Sequence, residues 1–159
     1  MNRSAFIPST LALILSLVLV AAVAGFGSRY APSPWYADLA KPAWTPPNWL
    51  FGPAWTILYI LMAVAAWLVW RRSEHPGTRS ALISYVVQLI LNGLWSWIFF
   101  GQQRIGLALL DLLILWIAVL ATLILFLRVH RTYGLLLLPY LAWITFAGAL
   151  NLAIWHLNP

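Results

Sequence analysis

The stretch from Trp35 to Tyr59 reads WYADLAKPAWTPPNWLFGPAWTILY and lies between two long apolar segments. It contains four tryptophans and four prolines. Proline lacks the backbone N–H and fixes φ, so one continuous helix cannot run through it. Flexible linkers are instead rich in glycine and serine. The stretch therefore predicts an ordered aromatic loop that leads into a helix, with short helical pieces around 35–40.

The rest of the chain is suited to lipid. Its 159 residues are 64% hydrophobic and 8% charged, with a mean hydropathy of +0.89, whereas soluble domains are about 25% charged. An apolar run of about 20 residues crosses a bilayer core about 30 Å thick. The composition predicts an all-α integral membrane protein. The absence of cysteine excludes disulfides, thiolate catalysis and cysteine-based metal sites.

Five apolar runs predict a bundle of five transmembrane helices in a single domain, 1–159. The first run is longer than the apolar region of a signal peptide, so we interpret it as a retained helix. The only long connection is loop one, at 27–47, which holds five of the ten prolines. The predicted spans are 5–26, 48–70, 81–100, 105–127 and 133–155.

The net charge of +6 comes from residues at the ends of these spans, so it does not indicate nucleic-acid binding. Six arginines fall on the side of the N-terminus, and two arginines and one lysine fall on the other. The positive-inside rule then predicts a cytoplasmic N-terminus in a bacterial-type cell membrane. The first group is Arg3, Arg71, Arg72, Arg79, Arg128 and Arg131, and the second is Arg29, Lys41 and Arg104.

A few polar side chains lie inside the predicted spans, where they are costly unless they face the bundle interior. Gln88 and Asn92 share one face of the third helix, and Asn151 lies on the fifth. They are expected either to join helices by hydrogen bonds or to line a pocket. Asp111 is the only acid in a span, and a bound proton, a hydrogen-bonded partner or a position near the interface would each explain it. The three histidines fall in loops or at a helix end, so no metal site is predicted.

Aromatic residues repeat at helical spacing on three of the spans. Trp55 and Tyr59 share a face of the second helix, Trp95 continues the face of Asn92, and Tyr140 and Trp143 share a face of the fifth. Core packing explains any single ring, but three stripes that converge beneath an aromatic loop would suit a flat, polycyclic, lipid-soluble ligand. Loop one is expected to form either a lid over that mouth or an aromatic belt at the membrane interface.

Four sequence blocks resemble the TspO or translocator proteins, also called tryptophan-rich sensory proteins or peripheral benzodiazepine receptors. They are W-Y-x-x-L-x-K-P-x-W-x-P-P at 35–47, F-x-P-x-W-x-x-L-Y at 51–59, Q-L-x-L-N-x-x-W-S-x-x-F-F at 88–100 and P-Y-L-A-W-x-x-F-A-x-x-L-N at 139–151. The resemblance implies a five-helix bundle, usually a homodimer, with a central pocket under loop one. That pocket would bind porphyrins and synthetic aromatic ligands, and in some members sterols.

The resemblance and the stripes together predict the ligand-binding residues. Arg29 or Lys41 is expected to meet a ligand carboxylate at the mouth, and no cofactor or metal is predicted. The predicted ligand-binding residues are Val23, Phe26, Trp35, Trp44, Trp49, Trp55, Tyr59, Gln88, Asn92, Trp95, Tyr140, Trp143, Ala147 and Leu150.

The function implied by this resemblance is a membrane receptor or sensor for a porphyrin-type tetrapyrrole. The alternatives are a tetrapyrrole transporter and an enzyme of light-dependent porphyrin breakdown that uses Trp55 and Trp143. The spans offer no histidine or cysteine as an axial ligand, so metal-free porphyrin is expected to be preferred over haem. Sterol binding is not expected, because the sterol motif of animal members needs a tyrosine followed by a basic residue, and LNLAIWHLNP at 150–159 has neither.

Overall fold

The computed structural model of the protein describes residues 8–30 and 34–159, and within them the only regular secondary structure is helical. Five helices are long and apolar enough to cross a membrane. The predicted all-α membrane fold with five spans is therefore confirmed. The long helices are α1 (Ser9–Ser28), α3 (Asn48–Trp70), α4 (Thr78–Ser96), α5 (Ile105–Val129) and α7 (Leu138–Leu157), and the short ones are α2 (Pro34–Asp38) and α6 (Arg131–Leu135).

The helix boundaries follow proline and charge. Helix α3 begins after Pro47, which adopts an extended conformation, and ends before Arg71. Pro53 is the sixth residue of α3, so its missing N–H removes one intrahelical bond, to the Trp49 carbonyl in the first turn. Residues 5–7 of the first predicted span lie outside the described residues. Helix α4 begins at Thr78, three residues before the predicted start, and continues as a π-helical turn at Trp97–Gly101.

The last span is interrupted, whereas the sequence predicted one helix over 133–155. Helix α6 ends at Leu135 and α7 begins at Leu138, with Pro139 in its first turn, where a missing N–H costs little. Gly134 lies against α5, and a Cβ atom there would come within 2.8 Å of the backbone nitrogen of Leu127. This close approach holds α6 across the end of α5 and redirects the chain into α7.

The core lies mainly between α3, α4, α5 and α7. Met62, Ala63 and Val69 of α3 are fully buried, as are Phe126 of α5 and Ile144 of α7. Helix α1 packs on α3 and α4 from one side. Its only buried residues are Ala12 and Val20, so it buries fewer side chains than any other long helix.

Loop one packs against the end of the bundle. The ring of Tyr36 in α2 lies 5.4 Å from that of Phe100, and the Trp35 ring lies 5.8 Å from that of Phe99. The side chain of Asn158 donates to the Ala40 carbonyl at 2.9 Å and accepts from the Ala40 N–H at 3.0 Å. The middle of the loop is thereby attached to the C-terminal end of α7.

Candidate ligand-binding site

A cavity of about 470 Å³ lies at the loop-one end of the bundle. Small-molecule sites in proteins are typically clefts of about 300–1,000 Å³ with apolar walls and a few polar groups. Its walls come from α1, α2, α3, α4, the π-helical turn and α7. Seven of the predicted ligand-binding residues line it, namely Trp55, Tyr59, Asn92, Trp95, Trp143, Ala147 and Leu150.

Aromatic rings form two clusters in the wall. In the first cluster, the Trp55 ring stacks on Tyr59 with centroids 5.4 Å apart and meets Trp143 edge-on at 6.4 Å. In the second cluster, Trp95 stacks on Phe99 at 5.2 Å. Rings that support one another in this way lose little entropy when a flat ligand stacks against them.

Polar groups at the wall are held by hydrogen bonds between helices. The Tyr59 hydroxyl donates to Asn92 Oδ1 at 2.6 Å, and Asn92 Nδ2 donates to the Tyr140 hydroxyl at 3.1 Å. This chain connects α3, α4 and α7. Asn92 thus does both things that the sequence left open, because it joins helices and also lines the cavity.

Asn151 forms a second polar bridge. Its Oδ1 accepts from Trp95 Nε1 at 3.2 Å, and its Nδ2 donates to the Ile105 carbonyl at 3.0 Å. Asn151 is 2% exposed and lines the cavity. The bridge holds the Trp95 indole in the wall and ties α7 to the first turn of α5.

Other predicted ligand-binding residues lie outside this wall. Val23 and Phe26 face Gly93 of α4, where a Cβ atom would lie 3.7 and 3.6 Å from their side chains. Tyr140 lies behind the wall, 1% exposed. Gln88 is also buried, with Nε2 3.8 Å from Met62 Sδ.

The three remaining predicted tryptophans belong to loop one and its junction with α3. Trp35 packs on Phe99, and Trp44 packs on Phe146 with ring centroids 5.7 Å apart. Trp49, in the first turn of α3, is 71% exposed. None of the three lines the cavity as the loop is arranged here.

The two predicted cations at the mouth have different surroundings. Lys41 Nζ donates to the backbone carbonyls of Tyr36, Ala37 and Leu39 at 2.6, 3.1 and 2.8 Å. These carbonyls come from the end of α2 and the residue after it, so the ammonium neutralises the negative end of that short helix. Arg29 is exposed and caps α1.

The cavity wall also contains residues that the sequence analysis did not assign to the site. Helical spacing from Asn92 and Trp95 leads to Phe99, and the stripe on the last helix includes Asn151, so these two could have been found. No such signal exists for the end of α1 or for α2. The additional residues are Ala24, Gly27, Ser28, Tyr30, Tyr36, Asn48, Phe51, Gly52, Thr56, Ser96, Phe99, Phe100, Asn151 and Ile154.

Asp111 does not line this cavity. It is 7% exposed, and its Oδ2 atom has no hydrogen-bond partner among residues 8–30 and 34–159. The same part of the chain holds no group of three or more His, Asp or Glu side chains arranged to bind a metal ion.

Comparison with known proteins gives a consistent result over nearly the whole chain. The model of the TspO/MBR family matches residues 12–156. The chain is 43% identical to the tryptophan-rich protein TspO of Chlorobaculum tepidum, covering 94% of this chain and 96% of that protein. It is 43% identical to protein CrtK of Rhodobacter capsulatus, over 89% of each chain. It is 42% identical to the human translocator protein, over 83% of this chain and 81% of that protein.

Proposed function

The chain belongs to the TspO/MBR family of membrane proteins, and from this premise we propose that it is a membrane receptor or sensor that binds a porphyrin-type tetrapyrrole in the loop-end cavity. The observation that carries the proposal is the pair of aromatic clusters, Trp55 with Trp143 and Trp95 with Phe99, that line a cavity of about 470 Å³. A flat macrocycle would stack on such rings, and Asn92 would offer the polar contact within reach.

Loop one acts as the lid in this proposal. Tyr36 of α2 is a cavity-lining side chain, and it is supported from behind by Phe100. Removing α2 from Phe99 and Phe100 would open the cavity on that side. The attachment of Ala40 to Asn158 keeps the loop closed while the ligand is bound, and the Lys41 ammonium holds the end of α2 together within the loop.

A ligand carboxylate would meet Arg29 rather than Lys41. Arg29 is exposed and lies between Ser28 and Tyr30, both of which line the cavity. The Lys41 ammonium already donates to three carbonyls, and moving it would leave the end of α2 uncapped. Arginine also suits the geometry of a carboxylate, because its two parallel N–H groups can donate to both oxygens.

The test is titration of the purified protein with metal-free protoporphyrin, followed by the porphyrin absorption band. Trp55→Ala combined with Trp143→Ala is expected to raise the Kd at least about tenfold, because two stacking surfaces are lost. Trp49→Ala is the matched control, since that indole is 71% exposed and lies outside the wall. Equal affinity of the double variant and the control would rule out this cavity as the binding site.

The role of Arg29 is tested by comparing protoporphyrin with its dimethyl ester. Arg29→Gln should weaken binding of the free acid and leave binding of the ester unchanged. Lys41→Gln should weaken both to the same extent, because its effect would act through the loop.

The two alternative functions have separate readouts. Ligand flux into liposomes indicates transport. Loss of the porphyrin absorption band under illumination, abolished in Trp143→Phe, indicates breakdown.

We further propose that the N-terminus and the turn at 71–77 face the cytoplasm, that loop one faces outward, and that the chain forms a homodimer in a bacterial cell membrane. The excess of arginine at one end supports the orientation. The chain has no cysteine, so Ser73→Cys and Ala43→Cys each introduce one unique thiol. A membrane-impermeant maleimide should label only Ala43→Cys in intact cells. Light scattering in detergent measures the oligomeric state.

A further inference from the structure

A second opening lies at the other end of the bundle, between α1, α3 and α4. It is a cleft of about 220 Å³ whose surface is almost entirely apolar. Leu15 of α1, Trp70 of α3 and Leu82 of α4 are among its lining residues. Since this part of the chain spans the membrane, the cleft opens toward lipid, and α1 forms its outer wall.

Two buried hydrogen-bond donors lie in the cleft wall. Trp70 Nε1 and the Tyr85 hydroxyl are both closed off from solvent. The Tyr85 hydroxyl faces Ser16, another lining residue. Ser16 Oγ donates its own hydrogen to the Ala63 carbonyl at 2.9 Å and keeps lone pairs that can accept one from Tyr85, so Trp70 Nε1 is the donor that is left without a partner in the described part of the chain. A buried donor without a partner destabilises the folded protein, and an acceptor that enters the cleft would relieve this.

Positive charge lies directly beyond the cleft. Arg71 follows Trp70, and its guanidinium lies 5.2 Å from the ring centroid of Trp67, which also lines the cleft. Arg79 lies three residues before Leu82, and therefore on the same face of α4 one turn nearer the membrane surface. Both belong to a segment, 71–79, that holds three arginines and one acidic residue, Glu74.

We propose that this cleft binds one anionic diacyl phospholipid. One acyl chain lies between α1 and α4, the two ester carbonyls accept hydrogen bonds from Trp70 Nε1 and the Tyr85 hydroxyl, and the phosphate lies beside Arg71 and Arg79. Tyr85 lies six residues from Arg79 on α4, about 9 Å along the helix, which is the length scale of a lipid headgroup with its ester region, and Trp70 directly precedes Arg71 at the end of α3. Entry requires an outward shift of α1, whose sole buried residues are Ala12 and Val20 and whose hydrogen bonds to α3 at this end are those of Ser16 with Ala63 and of Ser9 with Trp67.

Native mass spectrometry tests this proposal on protein purified in a detergent that contains no phospholipid. Phosphatidylglycerol, phosphatidylcholine and diacylglycerol with identical acyl chains are added in turn. One phosphatidylglycerol per chain should be retained under activation that removes the other two. Equal retention of phosphatidylcholine or diacylglycerol would overturn the proposal, because the arginines would then have no effect.

Paired variants locate the site. Leu15→Trp fills the cleft from its lipid-facing side and should abolish retention, whereas Leu11→Trp, on an exposed part of α1 outside the cleft, should not. Arg79→Gln should lower the affinity about fivefold, the equivalent of about 1 kcal/mol per basic residue at a membrane surface. Arg131→Gln, an exposed arginine beyond the cleft, should have no such effect.

Tyr85→Phe tests the ester contact and should weaken retention while it leaves the fold intact. Circular dichroism and elution volume identify any variant that fails to fold. Retained phosphatidylglycerol that is unaffected by Leu15→Trp would place the lipid elsewhere and overturn the assignment. None of these measurements uses porphyrin, so their outcome is independent of the function proposed for the other cavity.

Discussion

At the loop-one end of the bundle, Asn92 and Asn151 each connect two other groups by hydrogen bonds. At the opposite end, Trp70 Nε1 is buried without such a bond. Residues of α1, α3 and α4 line both openings, and aromatic rings lie in the wall of each. The larger cavity is therefore held in shape by its own hydrogen bonds, whereas the smaller cleft leaves Trp70 Nε1 without an acceptor in the described part of the chain.

The largest effect is expected at Asn151. Asn151→Leu would leave Trp95 Nε1 without its acceptor and remove a bond to the Ile105 carbonyl. A loss of about 1–3 kcal/mol in unfolding free energy follows from the buried unpaired donor. Thr145→Val is the control, because it removes the Trp116 to Thr145 bond between α5 and α7 on the exposed face, at a cost nearer about 0.6 kcal/mol. Unfolding in detergent compares the two, and equal losses would contradict the special role of Asn151.

Removal of one hydroxyl from each end provides a sharper comparison. Tyr59→Phe breaks the 2.6 Å bond to Asn92 Oδ1 and should cost about 1 kcal/mol. Tyr85→Phe removes a hydroxyl that faces Ser16 without a close hydrogen bond, so the loss of stability in phospholipid-free detergent should be smaller. Both tyrosines are largely buried in α3 and α4. A loss in Tyr85→Phe as large as that in Tyr59→Phe would show that the Tyr85 hydroxyl is firmly paired within the protein.

Much of the fold could be predicted because hydropathy and proline mark most helix ends. Residues 48–70 are bounded by Pro47 and Arg71, and α3 has the predicted limits. The interruption at 136–137 was not predicted, because it lies within four consecutive leucines of a continuous apolar run, although Gly134 and Pro139 flank them. It depends on the contact between Gly134 and Leu127, which are brought together only by the packing of α6 on α5.

The residues around the cavity likewise fall into those whose direction could be predicted from the sequence and those whose direction could not. Trp55, Asn92, Trp95 and Trp143 lie on long helices, where a period of 3.6 residues fixes which way a side chain points. Phe51 lies in α3 four residues before Trp55 and lines the cavity, whereas Trp49, which the sequence analysis assigned to the site, lies off that face and is exposed. Loop one has no such period. The direction of a ring in the loop depends on contacts such as that of Trp44 with Phe146 at 5.7 Å, which involve distant parts of the chain.

A smaller effect is expected where loop one is attached to the bundle. Asn158→Ala removes both hydrogen bonds to Ala40, at a cost of about 1 kcal/mol in an exposed position. Hydrogen exchange at residues 39–43 should become several times faster while exchange in α3 is unchanged. Thr45→Val is the control, since the hydroxyl of Thr45 bonds only within the loop, to the Pro42 carbonyl. Similar exchange rates in both variants would mean that the C-terminus does not hold the loop.

The smallest effect concerns the ionisation of Tyr36. Burial raises the pKa of its hydroxyl above the ordinary value of 10.0, so the packed loop favours the protonated form. The contribution of this group is fully present below pH 10.0, and it decreases as the pH rises above 10.0 because the unpacked loop ionises first. Hydrogen exchange at 39–43 should therefore accelerate in alkali more than base catalysis alone explains. The excess should disappear in Tyr36→Phe, which keeps the ring that lies 4.8 Å from Lys41 Nζ. An excess that persists in this variant would assign the alkaline opening to a group other than Tyr36.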